Sequence, residues 1–162
     1  MRLHRLSLAA VLAVGFALSA AAHDYQIGEL HIDHPYARAT TPMAQSSGGF
    51  LTITNTGTQA DRLLGATSDF AARTEVHLTA NDGGVMRMRE VEAIDLPPGE
   101  TVVFEPGGYH VMFIGIDAPF AQGETRDVTL SFERAGEITV QFTVEAMGGG
   151  HQHSDHMGHG HN

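Results

Sequence analysis

The 162-residue chain contains no cysteine, no tryptophan and no lysine. Without cysteine it can form no disulfide, and it can offer no thiolate to a metal ion or to a substrate. Thiol redox chemistry, cysteine-based zinc sites and blue-copper electron-transfer centres are therefore excluded, because each of them needs a cysteine sulfur. The fold must be held together by packing alone.

Positive charge is also scarce. The formal net charge is -10, and the nine positively charged residues are all arginines scattered along the chain. This distribution lacks the basic patch that nucleic-acid binding requires, and it lacks the polybasic cluster that binds an anionic membrane. The sequence therefore predicts neither of these partners.

The chain has no apolar run long enough to span a bilayer. Its longest largely apolar stretch, from Leu6 to Leu18, is shorter than the roughly 20 residues that a membrane-spanning helix needs. Arg2 and Arg5 precede this stretch, and small residues ending at Ala22 follow it. This pattern is typical of a secretory signal peptide. We predict that residues 1–22 are removed on export and that the mature protein is periplasmic.

Past the signal peptide, apolar and polar residues alternate over short segments, with no stretch of ten residues at helical period. Alternation at 127–133 and at 138–145 predicts two half-buried strands joined as a hairpin. Further strands are predicted at 26–33, 49–55, 62–66, 74–79, 85–91, 101–104 and 110–116, separated by Gly-rich and Pro-rich turns. The pattern favours one all-β domain over 23–146, a Greek-key sandwich or barrel. A short helical turn is predicted near 68–72.

A turn at Asn81-Asp82-Gly83-Gly84 suggests where a metal site could form. With Asp82 and Gly83 as the central residues of a type I′ hairpin, His77 would lie directly opposite Met88. Opposed residues project from the same face of a sheet, with their Cβ atoms about 5 Å apart. The two side chains would then supply two ligands of a metal site, one from each strand. Met86, near the tip, is interpreted as core filling, with a substitute-ligand role as the alternative.

His110 and Met112 form a second pair on one predicted strand. Being two residues apart, they project from the same face with Cα atoms about 6.5 Å apart. The turn at 106–108 would place His110 near the rim of the sandwich. Two imidazoles and two thioethers make a soft, neutral ligand set that favours Cu(I). The sequence therefore predicts a Cu(I) site at His77, Met88, His110 and Met112.

The order His77, ten residues, Met88, twenty-one residues, His110, one residue and Met112 resembles the signature of the PCuAC-type periplasmic copper chaperones. The flanking segments agree with it: PYAR at 35–38, DRLL at 61–64, EVH at 75–77, GVMRM at 84–88, PGGYHVM at 106–112 and SFERAG at 131–136. The resemblance implies a cupredoxin-like fold, Cu(I) bound by these four residues, and no enzymatic activity. It also implies delivery of copper to the CuA centre of cytochrome oxidase subunit II, often alongside a Sco-type protein. We expect a monomer.

The composition changes after Ala146. Residues 147–162 are rich in Gly, His and Met, which predicts a flexible tail. Its metal-binding candidates are His151, His153, His156, Met157, His159 and His161, which we interpret as an auxiliary Cu(II) site.

Two other functions remain open at this point. A protein with the same ligands could sequester copper for resistance instead of delivering it. If cleavage follows Ala22, the amino group and the imidazole of His23 could also chelate Cu(II), as in a copper redox enzyme.

Overall fold

The computed structural model describes residues 24–147, so the predicted signal peptide, His23 and the histidines of the tail lie outside the described residues. The described part of the chain is built from strands and contains no helix. Accordingly, no helix within it could cross a bilayer. The predicted all-β fold class is confirmed, whereas residues 68–70 form a bend instead of the predicted helical turn.

Eleven strands make up the described chain. They are β1 Tyr25–Ile27, β2 Leu30–Arg38, β3 Ser46–Asn55, β4 Asp61–Thr67, β5 Ala71–Asp82, β6 Val85–Glu90, β7 Ile94–Leu96, β8 Thr101–Phe104, β9 Tyr109–Ile116, β10 Thr125–Phe132 and β11 Gly136–Glu145. The strands predicted from the sequence did not include β7, and they treated β1 and β2 as one strand. Both errors involve three-residue strands, which are too short for alternation to identify them.

The strands form one mixed sheet in the order β6-β5-β9-β8-β3-β2-β11-β10-β4-β7, with β1 paired to β2. β3 also pairs directly with β9 beyond the end of β8. Most neighbours are antiparallel, whereas β11 pairs with β2 and β8 with β9 in parallel. Strands β6 and β7 are the two edges of this order, so the sheet is not closed.

The hydrophobic core lies on one face of most strands, whereas β6 is exposed along its whole length. The predicted hairpin is confirmed, because β10 and β11 pair in register and bury Val128 and Leu130 against Val140 and Phe142. On β9 the core residues are Val111 and Phe113, both fully buried. Complete burial of such a side chain stabilises the fold by about 1.5–3 kcal/mol. The alternation also fixes which residues face away from the core.

An aromatic cluster fills the middle of the core. The ring of Phe113 meets those of Phe70 and Phe142 edge to face, at centroid distances of 5.1 and 5.8 Å. Gly49 on β3 makes this packing feasible, because a Cβ atom there would approach the rings of Phe113 and Phe142 to 2.8 Å. The close approach holds β3 and β9 together beneath the candidate site.

The β5–β6 hairpin differs from the predicted register by two residues. Its turn residues are Gly83 and Gly84, with φ of 62° and 92°, so Asp82 pairs with Val85. Adjacent glycines adopt two positive φ angles with no Cβ penalty, which Asp82 would incur. The prediction that His77 lies directly opposite Met88 is therefore wrong: His77 lies opposite Glu90. A slip of two residues preserves the faces, so the two side chains remain diagonal neighbours.

Candidate metal centre

The outer face of β5 and β9 carries the predicted histidines. Val76 on β5 pairs with Val111 on β9, and both are core residues. Their chain neighbours His77 and His110 also pair and must point to the opposite face of the sheet. The site is therefore built on the surface of the sheet that faces away from the core.

Antiparallel pairing brings the two imidazoles together. The ring centroids of His77 and His110 are 5.8 Å apart, in an edge-to-face arrangement. A metal–nitrogen bond of about 2 Å puts an ion about 3 Å from each ring centroid, so one ion can contact both rings. Met112 lies opposite Glu75 in the same register, one diagonal step from His77.

Three of the four predicted ligands line one cavity. Met88 from β6 and His110 and Met112 from β9 border a space of about 230 Å³. The rest of its lining comes from Gly48, Phe50, Thr79, Pro106 and Gly107. Together with the ring of His77 beside His110, the four predicted residues from three strands are gathered in one place.

A second, smaller apolar layer supports this cavity outside the main core. Phe50 is only 6% exposed although it does not belong to the core cluster. Its ring lies 6.5 Å from that of His110 and 5.1 Å from that of Tyr36. Gly48 lies opposite Met112, and a Cβ atom there would approach the Phe50 ring to 3.2 Å. Glycine therefore leaves space beside the thioether.

The two histidines of the site, His77 and His110, each have one hydrogen-bonded ring nitrogen and one that is buried without a partner. His110 Nδ1 donates to the carbonyl oxygen of Gly108 over 3.2 Å, and its Nε2 is unpartnered. His77 is paired through Nε2, and its Nδ1 is unpartnered. Buried polar atoms are usually hydrogen-bonded, so two orphaned imidazole nitrogens in one site suit ligation of a metal ion.

Exposure rises from the histidines to the methionine on the edge strand. His110 is 5% exposed and Met88 is 54% exposed. His110 is the second residue of β9 and follows the β8–β9 turn, as predicted, but its side chain is buried instead of open to solvent. Met88 is the accessible member of the group, since β6 is an edge strand whose residues are all exposed.

Met86 does not occupy the core position predicted from the sequence. It lies opposite Asn81, two residues nearer the hairpin tip than Met88, and it is 58% exposed. Its interpretation as core filling is wrong. It does not line the cavity, so it is not part of the group described above.

Sequence reasoning missed one polar residue beside the site. The side chains of Glu75 and His77 are each 14% exposed, and His77 Nε2 lies 2.8 Å from a carboxylate oxygen of Glu75. The available signal was the spacing of two residues, which puts both side chains on one face of β5. Nothing local indicated that the carboxylate would be covered.

The four predicted ligands are not the oxygen-rich set that a hard metal ion prefers. Within residues 24–147, no three or more His, Cys, Asp or Glu side chains are arranged to hold a metal ion. The gathered side chains are instead two imidazoles and two thioethers.

Comparison with known proteins connects this site to a family. The model of the LpqE-like family matches residues 30–144 of the chain. The chain belongs to the LpqE-like family, the family of PCuAC domains. The resemblance noted from the His and Met spacing is thereby confirmed. Among curated relatives, "Putative lipoprotein Lxx21020" of Leifsonia xyli is 31% identical over 107 residues, or 65% of this chain. The chain matches 64% of the length of that relative.

Solved PCuAC structures share the fold. The copper-bound PCuAC domain of PmoF2 is 31% identical, with a TM-score of 0.66 over 76% of this chain and 98% of that domain. The Cu(I) form of DR1885 from Deinococcus radiodurans is 26% identical, with a TM-score of 0.59 over 80% of this chain and 85% of that protein. The cupredoxin-like fold expected from the resemblance is confirmed.

The burial of His110 predicts its behaviour on acidification. Burial lowers the pKa of His110 below its usual value of 6.5; the hydrogen bond to Gly108 opposes this effect and neighbouring His77 adds to it. In the metal-free protein, we expect NMR titration of the His110 ring to give a midpoint below 6.5. Because the unfolded state takes up this proton first, the histidine should reduce stability as the pH falls below about 6.5. A midpoint at or above 6.5 would contradict the buried, neutral imidazole.

Proposed function

We propose that this protein is an exported copper chaperone that carries Cu(I) on His77, Met88, His110 and Met112 and releases it to a partner protein. The observation that supports this most directly is the pair of buried, unpartnered imidazole nitrogens beside a cavity lined by two methionines. The related PmoF2 domain is copper-bound, and DR1885 has been solved with Cu(I). A carrier role of this kind involves no catalysis.

The ligand chemistry favours the lower oxidation state of copper. Thioethers are soft ligands that bind without losing a proton, and imidazole suits copper in either state. The four side chains bring no formal charge to the ion. Cu(I), a soft monovalent ion, loses less by leaving water for this environment than a divalent ion does.

Exposure of one ligand provides a route for release. Met88 is more than half exposed on an edge strand, while His110 is buried beneath the turn at 105–108. An incoming ligand can displace the Met88 thioether first, while both histidines retain the ion. Stepwise exchange of this kind lets a protein bind copper tightly and still transfer it.

The delivery target we propose is an apo copper site of the CuA type on cytochrome oxidase subunit II, with a Sco-type protein as an alternative acceptor. Export to the periplasm is supported by the signal-like residues 1–22 and by a relative named as a lipoprotein. Copper sequestration uses the same ligands without a specific acceptor, and the transfer experiment below separates the two functions.

We further propose that the tail binds Cu(II) as an auxiliary site. Met147, the last described residue, lines a surface depression together with Gly48, and Gly48 also lines the candidate metal cavity. The chain therefore leaves the fold beside the metal site. His151 follows four residues later, a span of at most about 14 Å.

Replacing Met112 by leucine should weaken Cu(I) binding more than about tenfold, because leucine keeps the volume and removes the sulfur. Loss of a supporting residue already costs about 10- to 100-fold in metal affinity, and a ligand should cost more. Competition with a chromogenic Cu(I) chelator measures the change. Met43→Leu is the control, since Met43 is 89% exposed and does not line the cavity. Equal affinities for the two variants would exclude Met112 as a ligand.

The loaded protein should transfer Cu(I) to apo subunit II faster than a small-molecule Cu(I) complex of matched affinity does. Docking beside the exposed Met88 replaces dissociation of the ion into water with direct ligand exchange. Separation of the two proteins at timed intervals, followed by determination of the copper bound to each, measures the rate. A rate no faster than that of the small-molecule complex would favour sequestration as the function.

A protein ending at Ala146 should retain one Cu(I) and lose its additional Cu(II) binding. Strand β11 ends at Glu145, so this truncation leaves every strand intact. Titrations of Cu(I) and Cu(II) against the full-length and shortened proteins give both stoichiometries. Unchanged Cu(II) stoichiometry would show that the tail is not the auxiliary site.

A further inference from the structure

Three side chains form a row on one face of β5, joined by one ion pair and one hydrogen bond. Arg73, Glu75 and His77 are spaced two residues apart, so all three project from the same face. Arg73 Nη1 lies 2.8 Å from Glu75 Oε1. His77 Nε2 lies 2.8 Å from the other oxygen, Oε2. One carboxylate therefore joins a guanidinium group to the imidazole of a proposed copper ligand.

The row determines which nitrogen of His77 carries the proton. A carboxylate is only an acceptor of hydrogen bonds, so the short contact to Glu75 requires a hydrogen on Nε2. In a neutral imidazole the other nitrogen then carries the lone pair. That nitrogen, Nδ1, is the one that is buried without a partner. The hydrogen bond at Nε2 and the burial of Nδ1 thus both leave Nδ1 as the free atom.

We propose that Glu75 is a positioning residue that holds His77 with its proton on Nε2, so that Nδ1 is the Cu(I) ligand. This inference rests on the proposed function of the site. His110 is held in the opposite way, because its Nδ1 donates to Gly108 and leaves Nε2 for the metal. The two histidines therefore bind one ion through different ring nitrogens.

Burial strengthens the hydrogen bond between Glu75 and His77. The side chains of Glu75 and His77 are each only 14% exposed, so water competes little for their hydrogen bond. Arg73 supplies the opposite charge that a covered carboxylate needs, although its own side chain is 64% exposed. Carboxylates that orient metal-binding histidines typically contribute about 10- to 100-fold to metal affinity.

The variant Glu75→Gln tests the proposal because it preserves shape and changes hydrogen-bonding capacity. The guanidinium group of Arg73 lies 2.8 Å from Oε1, so its charge should retain the amide oxygen on that side and turn the amide NH₂ group toward His77. An NH₂ donor facing Nε2 requires a lone pair there and moves the proton to Nδ1. We expect the His77 tautomer to invert and the Cu(I) affinity to fall about 10- to 100-fold.

Glu90→Gln is the matched control. Glu90 lies directly opposite His77 on β6 and is exposed, and no hydrogen bond joins its side chain to His77 in the described structure. The substitution removes the same charge from the other side of the same imidazole. We expect this variant to keep the Nε2-protonated tautomer and to change the Cu(I) affinity less than about threefold, as a screened surface charge should.

The double variant Arg73→Ala, Glu75→Gln tests the part played by the guanidinium group. Without Arg73 the amide is free to rotate and present its oxygen to His77, which restores an acceptor at Nε2. We expect partial return of the Nε2-protonated tautomer and of the Cu(I) affinity. Persistence of the inverted tautomer would overturn the role of Arg73.

Two readouts on each full-length protein complete the experiment. Long-range ¹H–¹⁵N NMR of the metal-free protein reports the tautomer, with His77 assigned by comparison with His77→Gln. Chelator competition reports the Cu(I) affinity. An unchanged tautomer in Glu75→Gln, or equal affinity losses in Glu75→Gln and Glu90→Gln, would overturn the proposal. Failure of the wild-type protein to bind Cu(I) would instead refute the proposed function, while the tautomer measurement would still stand.

Discussion

The pairing of β5 with β9 is the constraint on which the rest of the site depends. It places Val76 beside Val111 in the core and, one residue along, His77 beside His110 on the outer face. A slip of β5 by one residue along β9 would turn His77 into the core and Val76 onto the outer face, which would leave His110 without its neighbouring imidazole. Burial of the valines therefore holds the two ring nitrogens in place. The energy that fixes the site is supplied on the opposite side of the sheet from the metal.

Site formation also needs cover on the outer face, because a sheet surface open to water would leave the histidines solvated. Phe50 and the turn at 105–108 provide this cover and bury His110. Gly48 keeps the wall beside Met112 free of a side chain. The resulting environment withholds water from the imidazole nitrogens while hydrogen bonds from their other nitrogens fix the orientation of the rings. A neutral set of soft ligands in a covered pocket is well matched to a monovalent soft ion.

In the proposed carrier role, binding and release make opposite demands, and the residues proposed for each lie on different strands. β9 lies within the sheet and carries His110 and Met112, whereas β6 is an edge strand paired only with β5. Edge elements with exposed residues open more easily than central ones. Met88 therefore sits on the part of the site that can move without disturbing the core. Glu75, by contrast, lies on β5, between β6 and β9, and its carboxylate contacts the ring of His77.

Short-range patterns in the sequence determine the fold class and part of the candidate site. Period-two alternation identified the all-β fold and the β10–β11 hairpin, and the two-residue spacing of His110 and Met112 put them on one face, because strand geometry is local. The signature spacing identified the family. Tertiary structure alone decided that His77 lies beside His110, that Gly83 and Gly84 form the turn, and that Met88 is the exposed ligand candidate. It also decided that Glu75 is covered. These outcomes depend on which strands become neighbours and which loops cover them, and that choice is made by burial of residues far apart in the chain.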